Sequence, residues 1–187
     1  MREKKIVVAI TGASGAILGI RLLEELKKAG VHTHLVLSSW AERTIAEETD
    51  YSLAQVTALA GTVHNLHDLA ASISSGSFKT DGMAIVPCSM KTLAAIACGL
   101  SDNLIARAAD VTIKEKRHLV LMTRETPLST IHLRNMQTLA KTGAMILPPC
   151  VGFYTKPETL EDVINHLVGK VLDSFHIDNQ LFKRWKN

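Results

Sequence analysis

Aromatic residues are scarce in this chain. Two Trp, two Tyr and four Phe make up 4% of 187 residues. A nucleobase-stacking surface needs interleaved aromatic platforms, so none is expected. A strong excess of either charge is also missing. With 21 basic and 18 acidic side chains the net charge is +3, too small and too evenly spread for an electrostatic footprint on nucleic acid. No apolar run approaches the roughly 18 uninterrupted residues that cross a bilayer. The apolar start is broken by Thr11, Gly12, Ser14 and Gly15 and then meets Arg21, Glu24 and Glu25, so it reads as a strand and helix rather than a secretion signal. Three cysteines, Cys88, Cys98 and Cys150, lie in apolar stretches. Their odd number speaks against a disulfide framework and for a reduced, cytoplasmic protein. The eight histidines form no HExxH motif and no Cys/His cluster, and no metal site is expected.

What is present is ordinary globular material: 47% apolar and 21% charged residues, enough for one full-sized domain over residues 1–187. Apolar runs at 5–10, 32–38, 82–87, 118–123 and 144–147 alternate with helical patterns near 15–29, 40–48, 53–60, 90–99, 102–116 and 129–142. A last helix starts at Pro157, with an apolar stripe through Leu160, Val163, Ile164, Leu167, Val168, Val171, Leu172 and Phe175. This alternation predicts a three-layer α/β fold of the Rossmann-like or flavodoxin-like kind, a parallel sheet with helices on both faces. The segment Ser72–Thr80 (SISSGSFKT) fits no element, and is either a ligand-contacting loop or a plain connection.

The most informative stretch is strand 5–10 followed by Thr11-Gly12-Ala13-Ser14-Gly15 and a helix. Such a turn aims backbone N–H groups and a positive helix end at one point, which suits a phosphate. It is not a P-loop, because the G-x-x-x-x-G-K-[ST] pattern is absent. It resembles the turn of short-chain dehydrogenases, but the second strand ends in Ser38-Ser39-Trp40 without the acidic residue that holds a ribose. The Tyr and Lys four apart that those enzymes use are also missing, since Gln55 and Glu158 follow Tyr51 and Tyr154.

Further polar groups follow the other strands. Pro87-Cys88-Ser89-Met90-Lys91-Thr92 is a second strand-to-helix turn, readable as an ordinary Ser cap or as a ligand turn. Arg107, Asp110 and Lys114 share a helix face, either as a solvated ion stripe or as cations for a second phosphate. Arg124-Glu125 follows the fourth of these strands and Pro148–Tyr154 the fifth. The cations Lys91, Arg107, Lys114 and Arg124 exceed what one nucleotide monophosphate needs and suggest two phosphate-bearing ligands.

Taken in order, TGASGA, ETD at 48–50, SSGSF, PCSMKTLA, RAADV-x-x-KE, RE-x-PL, HL-x-NM and GFY resemble the UbiX-type flavin prenyltransferases, also named as small subunits of phenolic acid or hydroxybenzoate decarboxylases. The resemblance implies an FMN-binding homo-oligomer, a dodecamer built from trimers. It implies transfer of the dimethylallyl group of dimethylallyl monophosphate to N5 and C6 of reduced FMN. The prenylated FMN is then passed to a UbiD-type decarboxylase, without a metal. The alternative is an FMN-binding subunit that acts only inside a phenolic acid decarboxylase complex. Carried over by position, FMN is bound by Gly12, Ala13, Ser14, Ser38, Cys88, Ser89, Met90, Lys91, Thr92 and Arg124, with Arg107 near the interface shared with the donor. The donor is bound by Lys114, Arg124, Glu125, Tyr154 and Lys170, and walled by Trp185. Ser14, Glu48, Lys114 and Glu125 are the implied catalytic residues, Ser14 and Glu48 near flavin N5. Phe78, Tyr154 and Trp185 are candidates to face the allylic cation. Lys170 stands where an Arg is often found, and Trp40 either tightens the flavin edge or only packs. His132 is expected to be structural.

Overall fold

The computed structural model describes residues 3–186. Among them six strands, β1 (Lys5–Ile10), β2 (His32–Leu37), β3 (Thr62–His64), β4 (Gly82–Cys88), β5 (His118–Thr123) and β6 (Met145–Ile146), form one sheet in the order β3-β2-β1-β4-β5-β6. Every pairing is parallel. Seven helices surround it among the described residues: α1 (Ala16–Lys28), α2 (Ser39–Glu48), α3 (Leu53–Thr57), α4 (Met90–Ala97), α5 (Leu104–Lys114), α6 (Thr130–Lys141) and α7 (Leu160–Ser174).

The period-two alternation of the strands sorts the core into two layers. Ile6, Val8 and Ile10 face α1 and α7, packing with Leu22, Leu23, Val168 and Val171. Val7 and Ala9 face the opposite way, with Leu93, Ala109 and Leu139 of α4, α5 and α6. The three-layer parallel fold expected from the alternation is therefore the one present.

Several boundaries differ from expectation. β3 is a three-residue edge strand without an apolar run, and it was not anticipated. The last helix begins at Leu160, not Pro157. Thr159 caps it reciprocally with Asp162, a pairing that fixes the first turn more locally than a proline two residues earlier. Leu160 is 73% exposed and lies off the buried stripe. Cys88 is buried, but Cys98 and Cys150 are exposed rather than in apolar surroundings. His132 caps its own helix by returning Nδ1 to the Ser129 N–H, a structural role. No helix among the described residues is long and apolar enough to cross a membrane.

The strand order reverses between β1 and β4. From β1 the chain builds outward to β2 and β3, then returns to β4 and builds through β5 to β6. Open parallel sheets bind ligands in the crevice outside the carboxyl ends of the strands at such a reversal. The turns after β1 and β4 flank this point.

Candidate active site

Thr11 joins those two turns. Its hydroxyl donates to the Pro87 carbonyl at 2.7 Å and accepts the Ser89 N–H at 2.8 Å. Beside it lies a cavity of about 220 Å³, lined by Gly12, Ser38, Ser39, Trp40, Leu66, Ser89, Lys91, Thr92, Asn103 and Ile105. Three of these residues are helix caps. Ser38 accepts from the Ala41 N–H, Ser89 from Thr92 and Asn103 from Ala106. The N-termini of α2, α4 and α5 therefore converge on one cavity that also holds the Lys91 side chain. Unpaired first-turn N–H groups, three positive helix ends and an ammonium make a strong anion site. Gly12 is required where the wall is tightest, because a Cβ there would lie 2.3 Å from Trp40 Cβ. Trp40 thus packs against the glycine turn, with Arg43 over its exposed ring at 5.7 Å.

The first turn of α1 is arranged differently. Glu48 Oε2 accepts the N–H of Gly15 at 2.7 Å and of Ala16 at 3.3 Å. The expected phosphate position at the start of α1 is therefore filled by the protein's own carboxylate, and the anion-ready space lies next door. Ser14 is exposed and Ala13 half-buried at this turn. Cys88 ends β4 fully buried, and burial pushes its thiol up to about 12. It reaches the edge only through its carbonyl, which accepts the Arg124 N–H at 3.1 Å. Met90 is half-buried in the first turn of α4.

Arg124 and Glu125 leave β5 on this same edge. Arg124 is half-buried and enters no ion pair among the described residues, and Glu125 is exposed. After β6 the chain turns through a short 3-10 segment, Phe153–Thr155. Tyr154 there sets its Oη 3.1 Å from His166 Nε2 and meets Trp185 edge-to-face at 5.6 Å. Lys170 follows His166 by one turn of α7. Its cation is close enough to help lower the His166 pKa, after burial as the larger cause.

Three of the expected residues lie away from this cavity within one protomer. Lys114 is the last residue of α5, four residues before β5 begins, so it lies at the amino end of the sheet, opposite Arg124. There it pairs with Glu115, beside Gly76. Arg107 is taken up by Asp110 at 2.8 Å and the Ser74 carbonyl at 3.1 Å, and does not line the cavity. Phe78 sits edge-on to His34 at 5.1 Å with Lys5, the first residue of β1, above it, so it lies toward the amino end of the sheet. The segment 72–80 is a connection held by Arg107 and by Arg117, which donates to the carbonyls of Gly76 and Phe78. Ser39, Leu66, Asn103 and Ile105 line the cavity without having been anticipated. Asn103 had a readable signal, an Asn immediately before an apolar helical run.

Comparison with known proteins decides the family. Residues 1–172 match the Flavoprotein family. The chain is 56% identical over 184 residues to flavin prenyltransferase LpdB of Lactiplantibacillus plantarum, covering 98% of both chains. This protein belongs to the UbiX-like flavin prenyltransferases. Its fold superposes on the crystal structure of AnUbiX (PadA1) in complex with FMN and dimethylallyl pyrophosphate with a TM-score of 0.98, at 56% identity, covering 100% of this chain and 99% of that one. A dodecameric FMN-dependent UbiX-like decarboxylase from Escherichia coli O157:H7 gives 0.96 at 53% identity, over 98% of this chain and 100% of that one.

Proposed function

We infer that this UbiX-like protein transfers the dimethylallyl group of dimethylallyl monophosphate to reduced FMN and delivers prenylated FMN to a UbiD-type decarboxylase. The observation that carries the reading is the convergence of three helix N-termini and Lys91 on one cavity, with a second set of phosphate-binding groups after β5 and β6 on the same edge. The first set fits the FMN phosphate. When bound, FMN supplies a reduced isoalloxazine whose N5 and C6 accept the prenyl group.

The remaining chemistry falls to the chain. Arg124, Lys170 and the Tyr154 hydroxyl hold the donor phosphate. Negative charge grows on that phosphate as the allylic C–O bond breaks, so fixed cations stabilise the transition state more than the ground state. Trp185 and Tyr154 wall the pocket, keep water out and offer ring faces to the allylic cation. Ser14 lies in the β1–α1 turn that Glu48 caps from the end of α2, and the two carry the proton released on ring closure. Glu125 keeps the departing phosphate in the protonation state that favours its loss.

Lys114 cannot join this pocket from its own protomer, since the length of β5 separates them. We assign it to the pocket of a neighbouring copy, with Arg107 close to the same interface. Activity then depends on assembly, and a dodecamer built from trimers is the proposed state.

The decisive experiment mixes purified protein, reduced FMN and dimethylallyl monophosphate. Mass spectrometry should show the flavin gaining one five-carbon unit. Unmodified flavin at saturating donor would overturn the reading and leave a subunit that works only inside a decarboxylase complex.

A further inference from the structure

The 3-10 segment carrying Tyr154 approaches α7 more closely than any side chain at position 152 permits. A Cβ on Gly152 would lie 2.6 Å from His166 Cε1 and 3.2 Å from Tyr154 Cε1. The approach holds the Tyr154 and His166 rings edge-to-face at 5.7 Å and 88°, with Oη 3.1 Å from Nε2. His166 is 8% exposed, on a helix that otherwise buries Ile164, Leu167, Val168 and Val171. Phe182 closes its other side, edge-to-face at 4.9 Å. Tyr154, by contrast, is 47% exposed and stands against Trp185 at the proposed donor pocket. A deeply buried polar ring thus spends its hydrogen bond on one half-exposed phenol.

Which atom donates decides what the phenol can do. Burial and the nearby Lys170 cation lower the His166 pKa, so the ring is neutral near pH 7, with one N–H and one acceptor nitrogen. A phenol has a single O–H. If that proton goes to Nε2, Tyr154 turns only lone pairs toward the pocket, and these repel a phosphate. If Nε2 carries the proton, the imidazole donates to Oη and the phenol O–H is free for an anion.

We propose that His166 is a positioning residue that donates its Nε2–H to Tyr154 Oη, leaving the Tyr154 O–H to donate to the phosphate of the prenyl donor. The proposal rests on the reading of Tyr154 as a donor ligand, and two measurements separate the failure of one from the failure of the other. The first needs no turnover. Neutron diffraction from deuterium-exchanged crystals locates the shared deuteron of the Tyr154–His166 pair directly. A deuteron on Nε2, aimed at Oη, is the expected result. A deuteron on Oη aimed at a bare Nε2 shows that Nε2 is not the donor and overturns the proposal. The second measurement uses the FMN-loaded protein. His166→Phe should raise the KM for dimethylallyl monophosphate about tenfold, with a smaller change in kcat. His166→Gln, whose amide N–H reaches the same place, should restore most of it. In a Tyr154→Phe background His166→Phe should add nothing. An equal loss with and without the Tyr154 hydroxyl, or no change in donor KM, would make His166 a packing residue. If the wild type transfers no prenyl group, the functional reading alone falls, and the deuteron position still decides the bond.

Discussion

Glu48, the last residue of α2, closes the first turn of α1 by accepting the Gly15 N–H at 2.7 Å. Ser38 begins α2 at the end of β2, so α2 runs across the carboxyl edge of the sheet rather than down its face. A carboxylate at a helix N-terminus gains from both the free N–H groups and the helix dipole. Glu48→Ala in the FMN-free protein should cost about 1 kcal/mol, the usual scale for losing a cap. That lowers the thermal midpoint by about 2–4 °C in a chain of this size. Glu48→Gln keeps an acceptor oxygen and should recover part of the loss. A thermal scan in which Glu48→Ala melts with the wild type would show that the cap contributes nothing.

The cavity beside Thr11 leads to a sharper test. Lys91 and three helix ends are placed for a phosphate, not for a flavin ring. Lys91→Ala should weaken FMN binding about tenfold or more, the scale of a hydrogen bond to a charged group. It should leave riboflavin, which has no phosphate, bound as in the wild type. Fluorescence-quench titration of both flavins reads this directly, and an equal loss for the two would place Lys91 away from the phosphate.

The fold was legible because each long strand is a predominantly apolar run, as strands buried on both faces of a parallel sheet are. β3 was not, because Thr62-Val63-His64 sits at a sheet edge with Val63 exposed and leaves no apolar signature. The site was half legible. Ser38, Ser89, Lys91 and Arg124 follow strands and land on the carboxyl edge. Lys114 was misplaced because helical spacing shows which residues share a face, not which end of the sheet they reach. A helix leading into the next parallel strand finishes at the amino edge, so its last residue is far from the switch point. The resemblance points Glu48 at the flavin, but nothing in the sequence tells that the end of α2 returns to cap the α1 turn. Nor does it show that His166, inside an apolar stripe, bonds to Tyr154.

Lys114 and Glu125 lie at opposite edges of one protomer, and that separation can be tested by mixing. Lys114→Ala and Glu125→Ala should each lower turnover by a factor on the order of 100 or more. When the two variants are co-expressed, some pockets receive both intact residues from different chains. Random pairing should then restore about a quarter of wild-type turnover in a shared-site oligomer. Activity that stays at the level of the single variants would show that no pocket combines Lys114 of one copy with Glu125 of another.

His34 sets an acid limit on stability. It is 5% exposed on β2, with Nδ1 3.0 Å from His64 Nε2. Burial first, then the charges of His32, His64 and Lys5, push its pKa down to about 4. The unfolded chain keeps the ordinary value of 6.5, so between these pH values it binds more protons than the folded one. Stability is full above the upper value and falls as pH drops through the window. His34→Val removes the titrating group, and its melting temperature should fall less steeply than that of the wild type between pH 6.5 and 4. Parallel curves would assign the acid sensitivity to other groups.

Lys170 tests the donor pocket most directly. It is exposed on α7, one turn beyond His166, and a solvated lysine is the simplest account of such a position. Two observations argue for more. Its charge reaches His166 and so stands near Tyr154. The neighbouring acid Asp173 feels the Lys170 charge but gives its hydrogen bonds to Arg184, at 2.9 and 2.8 Å. An exposed cation one turn from His166, the ring bonded to the Tyr154 phenol, is placed for a phosphate. Lys170→Ala should raise the KM for dimethylallyl monophosphate and leave FMN affinity unchanged. Lys170→Arg should hold or improve donor affinity, because a guanidinium grips phosphate with two parallel hydrogen bonds where an ammonium gives a point charge. Steady-state kinetics on the two variants decides it, and an unchanged donor KM in the alanine variant would return Lys170 to the solvated surface.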